Sequence, residues 1–150
     1  MKTPVHVFLA DDDADDRVLF YEAIRQTMPH AGMTLANNGF ELIELLNNTG
    51  TTLPRLVFLD LNMPIKNGHE CLAEIRVTET LKNLPVVIYS TSEDPRDIEK
   101  AYVQGADFYI HKPNSFNDLL EIVRTVLSFN RTTHMPPVKE RFVLKSTTPA

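Results

Sequence analysis

Short apolar runs and amphipathic segments alternate along this chain five times over, and that alternation limits its fold more than any other feature. VHVFLA at 5–10, LVFLD at 56–60 and VVIYS at 86–90 are nearly uniform apolar runs bounded by polar or turn residues, the pattern of strands buried on both faces. MTLA at 33–36 and DFYI at 107–110 are weaker runs of the same kind. Between them, apolar residues recur at helical spacing: Val18, Tyr21, Ala23 and Ile24; Leu42, Ile43, Leu45 and Leu46; Leu72, Ile75 and Val77; Ile98, Ala101 and Tyr102; then Leu119, Leu120, Ile122, Val123 and Val126. Successive parallel strands need long crossovers. The alternation therefore predicts an α/β fold, a doubly wound five-stranded parallel sheet with helices on both faces. Asn38-Gly39, Leu53-Pro54, Asn67-Gly68, Leu84-Pro85 and Gln104-Gly105 fall at the proposed junctions, where Gly and Pro are tolerated.

The pattern stops near residue 130, and the 131–150 segment reads as a C-terminal tail, extended or partly disordered, in which FVL is a candidate short strand. One hundred and fifty residues suit one domain with its own core. The single cysteine, Cys71, excludes an intrachain disulfide and a zinc-cysteine framework; its apolar helix neighbours point to a buried thiol. No apolar run is long enough to span a bilayer, and the start lacks a secretory h-region, so a cytoplasmic protein without a membrane partner is expected. Net charge is -5, and the tail carries Arg131, Lys139, Arg141 and Lys145 against Glu140, so the rest of the chain is more acidic still. Such a body repels nucleic acid and favours cations.

In a doubly wound sheet, functional residues gather beyond the carboxyl ends of the strands. The first strand here ends in Asp11, Asp12 and Asp13, the third in Asp60, the fourth in Ser90 and Thr91, and the fifth near Lys112. Carboxylates brought together repel unless a cation neutralises them. With oxygen ligands and no Cys cluster or His pair, the expected ion is Mg²⁺ rather than zinc. A carboxylate beside such an ion and a lysine is equipped to attack phosphorus and become an aspartyl phosphate. Asp13, Asp15 and Asp16 read as helix-capping or surface acids. His69-Glu70 begins like a zincin helix but has Ala73 where the second His is needed, and no GxxxxGK is present.

ADDD after the first strand, VFLDLNMPIKNG around the third, VVIYSTS at the fourth and GADFYIHKP at the fifth resemble the receiver domain of two-component response regulators. The resemblance covers roughly residues 4–129, and LDLNMP with KNG and LKNLPVVIYSTS are similar to single-domain regulators associated with phytochromes. It implies a flavodoxin-like (βα)5 fold with strand order 2-1-3-4-5, a receiver domain over 1–130, and partners of the sensor histidine kinase or phosphotransfer type. It further implies that Asp60 is the phosphoacceptor, that Asp11, Asp12, Asp60 and the Asn62 carbonyl surround the metal, and that Lys112 and Ser90 contact the phosphoryl group. Ser90 and Tyr109 would form the switch, and a cis peptide would join Lys112 to Pro113. Thr91 and Asn114 depart from the commonest residues at their positions, and Ser92 stands where the phosphoryl lifetime is tuned. His111 is expected to face away from the site. A homodimer or partner contact through residues 95–129 is the expected output, with Phe116, Leu127 and Phe129 as its apolar candidates. Two other readings share the residues: a haloacid dehalogenase-like phosphatase using Asp11 and Asp13, and an interaction module that needs no phosphorylation.

Overall fold

The computed structural model describes residues 5–48, 53–128 and 139–145. Strands β1 (His6–Ala10), β2 (Gly32–Ala36), β3 (Leu56–Leu59), β4 (Val86–Ser90) and β5 (Phe108–His111) alternate with helices α1 (Ala14–Thr27), α2 (Gly39–Leu46), α3 (Gly68–Val77), α4 (Pro95–Val103) and α5 (Phe116–Leu127). All pairings are parallel. The core order is 2-1-3-4-5, as the receiver resemblance implies, and a sixth strand, β6 (Val143–Leu144), extends the sheet beside β5.

Alternate side chains of the central strands enter two cores. Val57, Leu59, Val86 and Ile88 point into one with Leu42, Leu72 and Ile75 of α2 and α3. Phe58, Val87 and Tyr89 point into the other with Phe20 and Ile24 of α1 and Val123 of α5, two helices that pack side by side. The helix starts are specified locally. Asp13, Asn38, Asn67, Asp94 and Ser115 each cap a helix by accepting a backbone N–H, satisfying donors that the first turn leaves free.

Several expectations are corrected. Val18, Tyr21 and Val77 fit helical spacing, yet all three are exposed; in α1 the buried stripe is Phe20, Ala23 and Ile24. Leu127, a candidate for an exposed apolar contact, is instead buried on the sheet-facing side of α5, and Phe116 is partly buried there. Phe129 lies outside the described residues. Within the tail, Lys139–Arg141 form a 3-10 turn, and the candidate FVL strand is present as Val143 and Leu144, which pair with Tyr109 and Ile110. The physical reason is Phe142, which is fully buried, edge-on to Tyr102 at a centroid distance of 5.2 Å and 6.3 Å from Tyr109. Lys139 adds an ion pair to Glu99 at 2.5 Å. No cis peptide occurs among the described residues, so Lys112-Pro113 is trans; trans is the lower-energy form of an X-Pro bond, and with it Lys112 still reaches the carboxylates described next.

No helix among the described residues is long and apolar enough to cross a membrane.

Candidate functional site

β1, β3, β4 and β5 end at one rim, and their register places the predicted residues together. The Asp60 N–H continues the sheet by donating to the Ala10 carbonyl at 3.0 Å, and the Asp11 N–H donates to Ala36 at 3.1 Å. Both aspartates therefore sit one step past adjacent strand ends. At the other side, the Lys112 N–H donates to the Ser90 carbonyl at 2.8 Å. Gly68, at the start of α3, lies so close to Asp60 that a Cβ there would collide with the Asp60 carbonyl. The absent side chain lets α3 begin against the strand end. Between them, Ile65 adopts φ 70°, a conformation that costs a β-branched residue energy.

Asp11 and Asp60 are buried, whereas Asp12 is exposed. Each of the three offers a carboxylate oxygen, and these oxygens lie within 4.8 Å of one another. Asp11 Oδ2 is buried and meets the Lys112 ammonium at 2.8 Å, yet it accepts no hydrogen bond of good geometry. An acidic oxygen so placed can serve a divalent cation, and the all-oxygen donor set fits a hard one. Asn62 follows in the same loop, its N–H 3.4 Å from Asp60 Oδ1.

Lys112 reaches across from β5. Its Nζ lies 2.8 Å from Asp16 Oδ2 and 3.4 Å from Asp60 Oδ2, above the face of Tyr89 at 5.1 Å from the ring centroid. Burial alone pushes the Asp60 carboxyl upward; Lys112 opposes that and Asp11 reinforces it, leaving the group at about 6. Burial disfavours the Lys112 charge, but Asp11, Asp16 and Asp60 outweigh it and hold the ammonium above the ordinary lysine value.

Ser90 and Tyr109 are both fully buried. Ser90 Oγ accepts from the Ser92 N–H at 3.1 Å, and Ser92 Oγ donates to Asp97 Oδ2 at 2.6 Å. His69 completes this chain from α3, its Nε2 lying 3.2 Å from Asp97 Oδ1. His111 pairs with Glu93 at 3.4 Å, beside a cleft of about 320 Å³ that Tyr109, Ser92 and Val143 also line. Cys71 is buried, and burial pushes its thiol to about 12.

Two residues were missed or underread in the sequence. Asp16 touches Lys112 rather than solvent alone, a contact across 96 residues of chain that no local spacing announces. Asp97 had no sequence signal, because its partners His69 and Ser92 are brought to it only by the packing of α3 beside α4.

Comparison with known proteins gives this rim its context. The family profile described as "Response regulator receiver domain" matches residues 7–124. The chain belongs to that family. This receiver domain is 30% identical over 130 residues to response regulator Rcp1 of Synechocystis sp., covering 84% of this chain and 88% of Rcp1. Among solved structures, it is similar to the phosphorylated cyanobacterial phytochrome response regulator RcpA, at 32% identity and TM-score 0.80, covering 91% of this chain and all of that one. The Mn²⁺-bound form of Rcp1 superposes with TM-score 0.77 at 29% identity, covering 90% of this chain and all of that one. The haloacid dehalogenase reading has no support here, and Asp13, its second acid, is instead an exposed cap that accepts the Asp16 N–H at 3.0 Å. The receiver family is one of signalling switches, whose partners are histidine kinases or phosphotransfer proteins.

Proposed function

We propose that this receiver domain accepts a phosphoryl group on Asp60 from the phosphohistidine of a sensor kinase or phosphotransfer protein. The observation that carries the reading is the convergence of Asp11, Asp12 and Lys112 on the buried Asp60 carboxylate. An Asp60 oxygen attacks phosphorus, the phosphorus–nitrogen bond breaks, and its electron pair returns to the imidazole. Lys112 would take one phosphoryl oxygen, and Ser90 Oγ would turn its hydroxyl toward another, releasing the Ser92 N–H. Asp11, Asp12, Asp60 and the Asn62 carbonyl would hold Mg²⁺, which supplies charge neutralisation on the phosphoryl oxygens. The chain then catalyses only its own phosphorylation and dephosphorylation.

The output is a protein contact, since an acidic body is a poor nucleic-acid binder. Residues 95–129 supply the face for a homodimer or partner. Exposed Val103 on α4 takes the place of buried Leu127 as an apolar contact, and β6 forms the sheet edge there. The switch would select between two arrangements of Ser90 and Tyr109. Here the Tyr109 ring is already buried, so the change is a repacking beneath Phe142 rather than entry from solvent.

The deciding experiment incubates the protein with Mg²⁺ and a phosphorylated kinase or acetyl phosphate, then maps the acyl phosphate by borohydride reduction and peptide mass. Label on Asp60, absent in Asp60→Asn, is expected; full label in Asp60→Asn overturns the reading.

A further inference from the structure

Asp16 stands outside the three-carboxylate cluster, yet it is among the nearest partners of Lys112. Its Oδ2 lies 2.8 Å from Nζ, against 3.4 Å for Asp60 Oδ2. Asp16 is not a wandering surface acid. Its backbone N–H is held by the Asp13 cap at 3.0 Å, and its neighbour Arg17 donates to the Asp11 carbonyl at 2.7 Å. The first turn of α1 is thus fastened to the strand end that carries Asp11.

An ammonium has three donors and no more. In this structure Lys112 donates to Asp16 and Asp60, and Asp11 Oδ2 lies beside the same ammonium at 2.8 Å as an ion pair. A phosphoryl oxygen on Asp60 needs one of those donors. Asp11, turned to a cation, would release its share, whereas Asp16, which makes no other ion pair among the described residues, keeps its pull. The lysine side chain is only 9% exposed, so water does little to dilute the competition, while Asp16 at 29% is partly screened.

We propose that Asp16 is a positioning residue that holds Lys112 back from Asp60, weakening the grip of the ammonium on a phosphoryl group and setting how firmly the activated state is held. This rests on the phosphoacceptor role of Asp60 proposed above. For a partly screened pair, the effect on affinity is about two- to fivefold.

The test is titration of beryllofluoride, a phosphoryl mimic, at saturating Mg²⁺, followed by amide NMR shifts. Wild type, Asp16→Asn, Lys112→Gln and the double variant are compared, with Asp16→Ser as a second removal of the charge. Both Asp16 variants should bind beryllofluoride about two- to fivefold tighter than wild type, and the gain should vanish when Lys112 is Gln. Unchanged or weaker binding, or an equal gain in both backgrounds, overturns the proposal. A wild type that binds no beryllofluoride overturns the phosphoacceptor reading instead, so the two failures are distinct.

Discussion

The Tyr109 phenol donates a 2.8 Å hydrogen bond to the backbone carbonyl of Ser92, two residues beyond the buried Ser90. The N–H of the same Ser92 is held by Ser90 Oγ at 3.1 Å. A single loop residue is therefore clamped by both members of the expected switch, and neither can move without altering the other's partner.

Tyr109→Phe should remove the phenol bond while keeping the ring in place. The expected cost is about 1 kcal/mol of stability, with Asp60 still phosphorylated but the activation-dependent change in partner contact reduced. Chemical denaturation and partner binding with and without beryllofluoride check the two parts; full wild-type coupling would show that the clamp is not used.

The raised Asp60 carboxyl makes stability depend on pH in a defined direction. The unfolded group ionises near 3.8 and the folded one near 6, so between those values the folded state binds more protons. Stability is then lost as pH rises through that window. Asp60→Asn should remove this slope and, in the absence of divalent ions, raise stability at pH 7 by on the order of 2 kcal/mol. Urea denaturation at pH 4.5 and pH 7 in chelator measures it. An identical slope in both proteins refutes the assignment.

Asp12→Ala deletes the exposed member of the three-carboxylate cluster. Mg²⁺ affinity and phosphorylation should fall together by at least an order of magnitude, with the fold retained or slightly stabilised because repulsion at the rim is relieved. Calorimetric titration of Mg²⁺ and circular dichroism read the two effects; undiminished Mg²⁺ binding would remove Asp12 from the site.

Phe142→Ala empties the space between Tyr102 and Tyr109. A buried phenylalanine lost in this way costs about 3–5 kcal/mol, less where the site collapses. Thermal or urea unfolding gives the value. A cost below about 0.5 kcal/mol would mean that β6 adds nothing to the core.

Much of this was legible because the signals were local. Strand runs at 5–10, 56–60 and 86–90 stand out by uniform apolarity, and Asp11, Asp60, Ser90 and Lys112 follow from knowing that a parallel sheet lines up its carboxyl ends. What escaped was set by three-dimensional neighbours. Val18 and Tyr21 match helical spacing as well as Phe20 does, and only the packing of α1 against α5 decides which stripe is inside. The docking of Phe142 on Tyr102 bridges forty residues of chain, and no window of sequence contains both partners. Asp16 looked like a first-turn acid because it is one; its contact with Lys112 depends on a lysine one residue past the fifth strand.

The two-residue β6 also sets a local scale of opening. Its pairing to β5 includes the hydrogen bond from the Tyr109 N–H to the Phe142 carbonyl at 3.0 Å. So short a strand can detach without disturbing the five that precede it, a local opening that costs less free energy than global unfolding. In deuterated water the Tyr109 amide would then exchange through this detachment, while Ile88, deep in β4, waits for the whole sheet to open. Tyr109, fully buried, would carry the exchange signature of an edge.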